Sequence, residues 1–229
     1  MHSLIAHNLT VKRSSRLIFA PVDFEMIAGE LLLFKGENGA GKSTLLRAMI
    51  GFLPFHTGEI YILSSQEKQS DEKSELTPDI LHYLGHKDPI KPSLSVKEQL
   101  IFWRSYLAPC PAFSLKSQRY DDIEAALERL QLHHVKDIPG GYLSQGQKRR
   151  ISIARLLLSP RPLWLLDEPT AGLDAKAEAI FGEIVQQHLD AGGLCIAATH
   201  LDLPILSQKE VKICTPAFEE SLLDEEGKG

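Results

Sequence analysis

The segment 36–44, which reads GENGAGKST, constrains the fold more than any other part of the sequence. It follows the apolar run 31–34 and precedes the mainly apolar run 45–50. A strand, a tight glycine-rich loop and a helix are therefore predicted in this order. Backbone N–H groups of such a loop, together with the positive end of the helix, can hold an anionic group.

The spacing of this segment fills the pattern G-x-x-x-x-G-K-[ST], which is typical of nucleoside triphosphate binding. We expect Lys42 to reach the β- and γ-phosphates and Ser43 to bind Mg²⁺. Glycine allows backbone angles and close approaches that side chains would block. The residues predicted to bind ATP here are Gly36, Glu37, Asn38, Gly39, Ala40, Gly41, Lys42, Ser43 and Thr44.

An acidic pair follows a second buried strand, which is predicted at residues 163–166. Carboxylates at such a position are costly unless a cation or hydrogen-bond donors compensate them. We expect Asp167 to hold Mg²⁺ through water while Ser43 binds the ion directly. We expect Glu168 to act as the general base, or to orient the attacking water.

Residues 143–150 (LSQGQKRR) predict both a helix start and an anion site. Ser144 and Gln147 fit a capping box, so a helix should begin here. The Ser144 hydroxyl and the backbone at Gly146 are also suited to contact a phosphate.

Composition restricts the partners and the compartment. The chain has 229 residues and a formal net charge of -5, which disfavours nucleic acid as the main partner. Its three cysteines are far apart and have no metal-ligand spacing, so reduced thiols are expected. No apolar run approaches the ~20 residues that span a bilayer, and the first residues lack a signal-peptide pattern. A cytoplasmic location is therefore expected.

In their order along the chain, these motifs resemble those of ATP-binding-cassette (ABC) ATPases, roughly over residues 4–205. The turn 170–174 and the pair Thr199-His200 complete the series. The resemblance implies an α/β P-loop fold with a mainly parallel sheet, an N-terminal antiparallel β arm and an inserted helical subdomain. It implies one domain, divided into a RecA-like core with the arm (1–85 and 160–215), the helical subdomain (86–159) and an acidic tail (216–229).

The resemblance also implies a homodimer in which two copies face head to tail around two ATP molecules. Each nucleotide would touch the phosphate loop of one copy and Ser144, Gly146 and Gln147 of the other. Asp174 would lie across the seam between the copies. His200 would donate a hydrogen bond to the γ-phosphate and act with Glu168 and Lys42 in catalysis.

Three positions depart from the family pattern. His86 stands where many members carry a glutamine that senses Mg²⁺, and we expect it to bond a metal-bound water or a phosphate. Arg13 aligns with an aromatic residue that stacks on adenine, and a guanidinium can also stack on a base. Gln145 replaces the more common glycine of the signature segment.

Local phrases at 83–86, 90–96 and 199–204 resemble the ATP-binding subunit of the haem exporter for cytochrome c maturation. This resemblance implies integral membrane subunits as partners, a place on the cytoplasmic face of the bacterial inner membrane, and an indirect link to a haem chaperone. Two alternatives stay open. One is an ATPase subunit of another exporter, and the other is a soluble cassette without a membrane partner.

The segment 100–107 (LIFWRSYL) carries more apolar and aromatic surface than one helix face needs. Interfaces favour such residues. The segment is therefore interpreted either as a docking site for a cytoplasmic helix of the membrane partner, near His86, or as a helix buried within its own subdomain.

Overall fold

The computed structural model describes residues 2–64, 72–107, 122–199 and 208–216. The strands are β1 (His2–Thr10), β2 (Lys12–Arg13), β3 (Arg16–Leu17), β4 (Val22–Ile27), β5 (Leu31–Lys35), β6 (Thr57–Ser64), β7 (Glu72–Ser74), β8 (Leu81–Leu84), β9 (Leu163–Asp167), β10 (Leu194–Ala198) and β11 (Gln208–Lys212). The α-helices are α1 (Lys42–Met49), α2 (Val96–Tyr106), α3 (Ile123–Arg129), α4 (Gln145–Leu158) and α5 (Ala175–Asp190). Two short 3₁₀ turns cover His133–Val135 and Gly140–Tyr142.

A five-stranded parallel sheet, in the order β11-β5-β10-β9-β8, forms the centre of the molecule. Strands β9 and β10 are buried along their whole length, and β5 is buried up to its last residue. Continuous apolar runs suit strands that are covered on both faces. The strands predicted at 31–34 and 163–166 are confirmed, and the apolar run 194–198 forms the strand between them.

An antiparallel sheet in the order β4-β1-β6-β7 packs beside the central sheet. Strand β4 alternates between buried and exposed residues, as the spacing of Val22, Phe24 and Met26 predicts. Phe24 meets Phe34 of β5 edge to face, with 5.7 Å between the ring centroids. The N-terminal segment thus shares one hydrophobic core with helix α1 and one face of the parallel sheet.

Helices α2 and α3 pack against α4 and form a second core on the other face of the parallel sheet. Each helix begins at a residue that the sequence indicates. Ser95 and Ser144 form complete capping boxes with Glu98 and Gln147, and Asp122 caps α3. These caps satisfy backbone N–H groups that have no partner within the helix.

Two strands contradict or extend the sequence-based expectations. The polar composition of residues 64–75 predicts an exposed loop, but Glu72–Ser74 pairs with β6. The mostly exposed strand Gln208–Lys212 extends the parallel sheet beside β5, without an apolar run that could reveal it. Edge strands need only backbone partners on one side, so their side chains carry a weak signal. His200 and all but the first residue of the predicted tail lie outside the described residues.

Candidate functional site

The phosphate loop connects the end of β5 to the start of α1. Gly39 and Gly41 have φ angles of 88° and 102°, values that L side chains rarely adopt. A Cβ on Gly41 would lie 2.7 Å from Phe19 Cδ1, so the packing also excludes a side chain there. Lys42 donates hydrogen bonds from Nζ to the carbonyls of Gly36 (2.7 Å) and Glu37 (3.0 Å), and this places its ammonium group over the loop.

A cleft of about 260 Å³ lies over this loop. Its lining consists of Asn38, Gly39, Gly41, Lys42, Ser43, Thr44 and Glu168. The structure therefore brings the loop and the second carboxylate of the acidic pair to one cavity, although more than a hundred residues separate them in the sequence. Lys42, Ser43 and Thr44 at the N-terminus of α1 line the same space, and the first N–H groups of a helix favour an anion.

Asp167, at the end of β9, is 1% exposed and faces Ser43. Ser43 donates a hydrogen bond from Oγ to Asp167 Oδ1 at 2.7 Å. On the other side, Tyr83 donates a longer hydrogen bond from its hydroxyl to Asp167 Oδ2 at 3.4 Å. Burial raises the pKa of Tyr83, partly opposed by a hydrogen bond with Arg47, so the phenol stays protonated and can donate.

Glu168 has a left-handed backbone with φ 46°, which is uncommon for a residue that is not glycine. Its N–H donates to the carbonyl of Ala198 at the end of β10, at 2.8 Å. Its own carbonyl accepts from Arg149 Nη2 at 2.6 Å. The backbone of Glu168 is thus held on both sides, and this orientation places the residue on the wall of the cleft.

The roles of two residues at this site, Tyr83 and Arg149, have no signal in the sequence. Tyr83 belongs to β8, which no periodicity identified as a strand. Arg149 was seen only as part of a charged helix start. Its partners are mainly backbone carbonyls. Every residue type has a backbone carbonyl, so the sequence does not indicate which one accepts a hydrogen bond.

Residues 143–147, the signature segment, do not contribute to the cleft over the phosphate loop of their own chain. Ser144 accepts from Gln147 N at 3.2 Å, and the Gln147 side chain accepts from Ser144 N at 2.9 Å. Gly146 approaches the turn after β9 so closely that a Cβ would lie 3.0 Å from Gly172 O. None of these residues is in the lining of the phosphate-loop cleft.

The other predicted site residues occupy separate places. Asp174 is exposed and caps α5 by accepting from Ala177 N at 2.8 Å. Arg13 is exposed on the β2-β3 hairpin, opposite Arg16. His86 is exposed in the loop after β8 and lines a different cavity of about 380 Å³, together with Gly140, Gly141 and Lys148 among others.

Within the described ranges, no helix has the length and apolar character that a bilayer span requires. The longest described helix, Ala175–Asp190, has 16 residues.

Comparison with known proteins gives a consistent result at the level of sequence. The family model described as "ABC transporter" matches residues 19–171, more than half of the chain. A relative from Chelativorans sp. (strain BNC1) is 45% identical over 210 residues, or 92% of this chain and 97% of the relative. One from Brucella abortus (strain 2308) is 44% identical over 202 residues, 87% of this chain and 86% of the relative. Both are named "Cytochrome c biogenesis ATP-binding export protein CcmA".

Solved structures share the same fold. A putative ABC transporter ATP-binding protein from Pyrococcus furiosus superposes with a TM-score of 0.73 at 21% identity, covering 93% of this chain and 100% of its own. An ATP-binding subunit of an ABC transporter superposes with a TM-score of 0.69 at 23% identity, covering 86% and 80%. The predicted α/β P-loop ABC fold is thereby confirmed, and the chain belongs to the ABC transporter family as one of its ATPases.

Proposed function

We propose that this chain is the ATP-hydrolysing subunit of a membrane-bound export complex for cytochrome c biogenesis. The identity of 45% with the Chelativorans protein, over nearly the full length of both chains, carries this proposal. The finer form of the proposal is that the complex exports haem or releases it from a chaperone. The chain would act at the cytoplasmic face of the inner membrane, with integral membrane subunits as its partners.

The residues around the cleft have different roles in the transfer of the γ-phosphoryl group of ATP to water. Lys42 and the N–H groups of the loop and of α1 neutralise and orient the β- and γ-phosphates of ATP. Glu168 accepts the proton of the attacking water, or orients that water in line with the bond that breaks. His200, which lies outside the described residues, is proposed to donate to the γ-phosphate. Little covalent chemistry is left to the protein, so positioning determines the rate.

The donor set at Ser43 and Asp167 fits a magnesium ion. A hydroxyl and a buried carboxylate 2.7 Å apart are hard oxygen donors, and Mg²⁺ in nucleotide sites usually takes one or two such protein ligands along with phosphate oxygens and waters. Ser43 and Asp167 would hold Mg²⁺, and the ion would supply positive charge that neutralises the charge developing on the transferred phosphoryl group. Tyr83 would keep Asp167 in position. The role of His86 beside a metal-bound water stays a prediction.

The exposed positions of Ser144 and Asp174, together with the half-buried Gly146 at the start of α4, support the proposal of a head-to-tail homodimer. In one chain these residues lie apart from the loop that binds the nucleotide. Two copies facing each other would bring the start of α4 of one copy to the nucleotide of the other. ATP would then stabilise the closed pair, because the closed pair contacts it on two sides. The proposed role of Arg13 is stacking on the base.

A surface on α2 supports docking of the membrane partner on the helical subdomain. Phe102 and Tyr106 stack with 5.8 Å between their ring centroids, and Tyr106 is 70% exposed. An adjacent cavity of about 380 Å³ is lined mainly by apolar groups, among them Ile90 and Leu94. Trp103, in contrast, is half-buried under Arg155, at 3.9 Å from ring centroid to guanidinium carbon. One side of α2 is therefore buried within its own subdomain, and docking of the partner is proposed for the exposed side only.

Charge substitution tests this docking surface. We expect Tyr106→Glu to reduce recovery of the chain with membranes, because a carboxylate would be desolvated in an apolar contact. Arg104→Glu is the control, since a position two residues before Tyr106 lies on another side of the helix. Equal membrane recovery of Tyr106→Glu and the native chain would contradict docking at this surface.

Deletion of the gene tests the function. We expect loss of haem-stained c-type cytochromes, restored by the native chain but not by Lys42→Ala, which lacks the ammonium group for the phosphates. Lys35→Ala, which removes a lysine at the end of β5 that is not in the lining of the cleft, is the matched control. Normal c-type cytochromes in the deletion strain would overturn the assignment to cytochrome c biogenesis.

A further inference from the structure

Arg149 is a buried, hydrogen-bonded charged group that lies outside the residues predicted to bind or hydrolyse ATP. Its side chain is 2% exposed. Burying a guanidinium is unfavourable unless its donors are paired. A sequence-based interpretation assigns it only to the charged first turns of α4.

Each of the five N–H donors of the guanidinium has an acceptor. Nε donates to Pro169 O at 2.9 Å, and Nη2 donates to Asp167 O at 3.1 Å and to Glu168 O at 2.6 Å. Nη1 donates to Gly85 O at 2.8 Å and to Asp88 Oδ1 at 3.1 Å. Four of the five acceptors are backbone carbonyls, so these hydrogen bonds depend on the backbone conformation around Arg149. The fifth acceptor, the Asp88 carboxylate, supplies the countercharge.

The three consecutive carbonyls at 167–169 converge on Arg149 because the chain turns sharply there. Glu168 has φ 46°, and a left-handed conformation is unfavourable for a residue with a side chain. The hydrogen bonds to Arg149 offset this cost. They also fix the direction in which the Glu168 side chain leaves the backbone, toward the cleft that it lines.

Arg149 joins three segments that have different tasks. It stands in α4, five residues after the cap Ser144, and α4 is the helix proposed to touch the nucleotide of a second copy. Gly85 and Asp88 flank His86 in the loop that leads to the helix with the docking surface. The carbonyls at 167–169 belong to the strand end that carries the catalytic carboxylate. The guanidinium therefore links these three segments through one rigid planar group.

We propose that Arg149 is a positioning residue: it holds Glu168 in its left-handed backbone conformation and makes the orientation of this carboxylate depend on α4 and on the loop at 85–88. This inference rests on the proposed function, in which Glu168 is the base. Arg149 touches no reacting atom, so its effect on the rate passes through Glu168.

The test is a double-mutant cycle on the full-length chain, with kcat and KM for ATP as readouts. Arg149→Lys keeps the charge beside Asp88 but cannot supply five donors in a plane. We expect ATP affinity to be retained and kcat to fall on the order of 100-fold, the size of the effect of a misplacement of about 1 Å. Arg129→Lys, on the exposed face of α3 where Arg129 donates to Gln187, is the matched control and should keep the native kcat.

The decisive readout is the same substitution in the Glu168→Gln background, measured by single-turnover hydrolysis. If Arg149 acts through Glu168, Arg149→Lys causes no further loss there, because the group that it positions is already absent. A merely structural role would lower the residual rate by the same factor in both backgrounds. Native kcat in Arg149→Lys, or an undiminished loss in the double mutant, would overturn the inference.

Asp88→Ala provides a second route if Arg149→Lys fails to fold. Asp88 is more exposed than Arg149, and its removal leaves the four carbonyl acceptors in place. We expect a smaller fall in kcat that again disappears in the Glu168→Gln background, and a loss that persists there would overturn the inference. Full activity of Glu168→Gln itself would overturn the base assignment, and with it the inference, so the two failures are distinguishable.

Discussion

At the scale of single residues, the phosphate loop depends on glycines for two different physical reasons. Gly39 and Gly41 both have positive φ angles, which a side chain makes unfavourable. Space differs between them. A Cβ on Gly39 would meet nothing within 4 Å, whereas one on Gly41 would lie 2.7 Å from Phe19 Cδ1 and 3.0 Å from Ile18 Cγ2.

This difference predicts unequal effects of two matched substitutions. Gly39→Ala should lower the free energy of unfolding by about 1 kcal/mol through backbone strain alone. Gly41→Ala should lower it by more, because Phe19 must also move in a packed core. Urea denaturation without nucleotide measures both values. Equal losses would show that the contact with Phe19 relaxes without cost.

The hydroxyl of Tyr83 allows a prediction about the metal. Tyr83→Phe removes the hydrogen bond to Asp167 Oδ2, so we expect the Mg²⁺ concentration for half-maximal ATP hydrolysis to rise about fivefold, or about 1 kcal/mol. Nucleotide binding without Mg²⁺ should not change. Tyr61→Phe, in β6 beside Lys73, is the control. An unaltered Mg²⁺ dependence would exclude a role of Tyr83 in holding Asp167.

At the scale of elements, two helices begin with the same device. Helices α2 and α4 have complete capping boxes, Ser95 with Glu98 and Ser144 with Gln147. Both serines are therefore equivalent as caps. Only Ser144 has a proposed second role, as a contact to the nucleotide of the other copy, so the pair separates capping from catalysis.

We predict that Ser95→Ala and Ser144→Ala each lower the free energy of unfolding by about 1 kcal/mol. Only Ser144→Ala should also lower ATP turnover and weaken ATP-dependent dimerisation. Denaturation, steady-state hydrolysis and light scattering with ATP measure the three properties. Native turnover in Ser144→Ala would argue against the head-to-tail dimer.

At the scale of the whole molecule, two fully buried histidines make stability depend on pH. Burial lowers the pKa of His82 to about 3 and that of His188 to about 4. His188 lies flat on Trp164, with 3.9 Å between the ring centroids, and its Nε2 is 3.2 Å from Leu194 O. Both rings are therefore neutral in the folded chain at any pH above about 5.

The sign of the pH dependence follows from these directions. Below pH 6.5 the two histidines bind protons in the unfolded chain but stay neutral in the folded chain. The free energy of unfolding is therefore highest above pH 6.5 and decreases as the pH falls below it. At pH 5 each histidine contributes a loss of at most about 2 kcal/mol.

Urea denaturation at pH 7 and pH 5 checks this prediction. His188→Gln, which can still donate toward Leu194 O, should reduce the difference between the two free energies of unfolding. The control His134→Gln, at an exposed site, should not. An identical pH dependence of the native chain and His188→Gln would contradict the burial argument.

Much of the architecture was predictable because its signals are local. The continuous apolar runs at 31–34 and 163–166 predict strands that are covered on both faces. Ser95 and Ser144, each with a partner three residues later, predict the starts of α2 and α4. Strand Gln208–Lys212 was not predictable, because its side chains are mostly exposed and only its backbone pairs with β5. The short strand Leu81–Leu84 was missed because four residues carry too little periodicity.

The sequence by itself determined the strand, the glycine-rich loop and the helix that follows it, and it predicted that this unit binds a triphosphate and that an acidic pair serves the same chemistry. Residue types at fixed spacing encode those features. Only the tertiary structure decided that Tyr83 donates a hydrogen bond to Asp167 and that Arg149 donates to the backbone at Glu168. Those contacts join Tyr83 and Arg149 to partners far along the chain, several of which are backbone carbonyls. A carbonyl belongs to every residue, so a sequence contains no mark of the one that a guanidinium will meet.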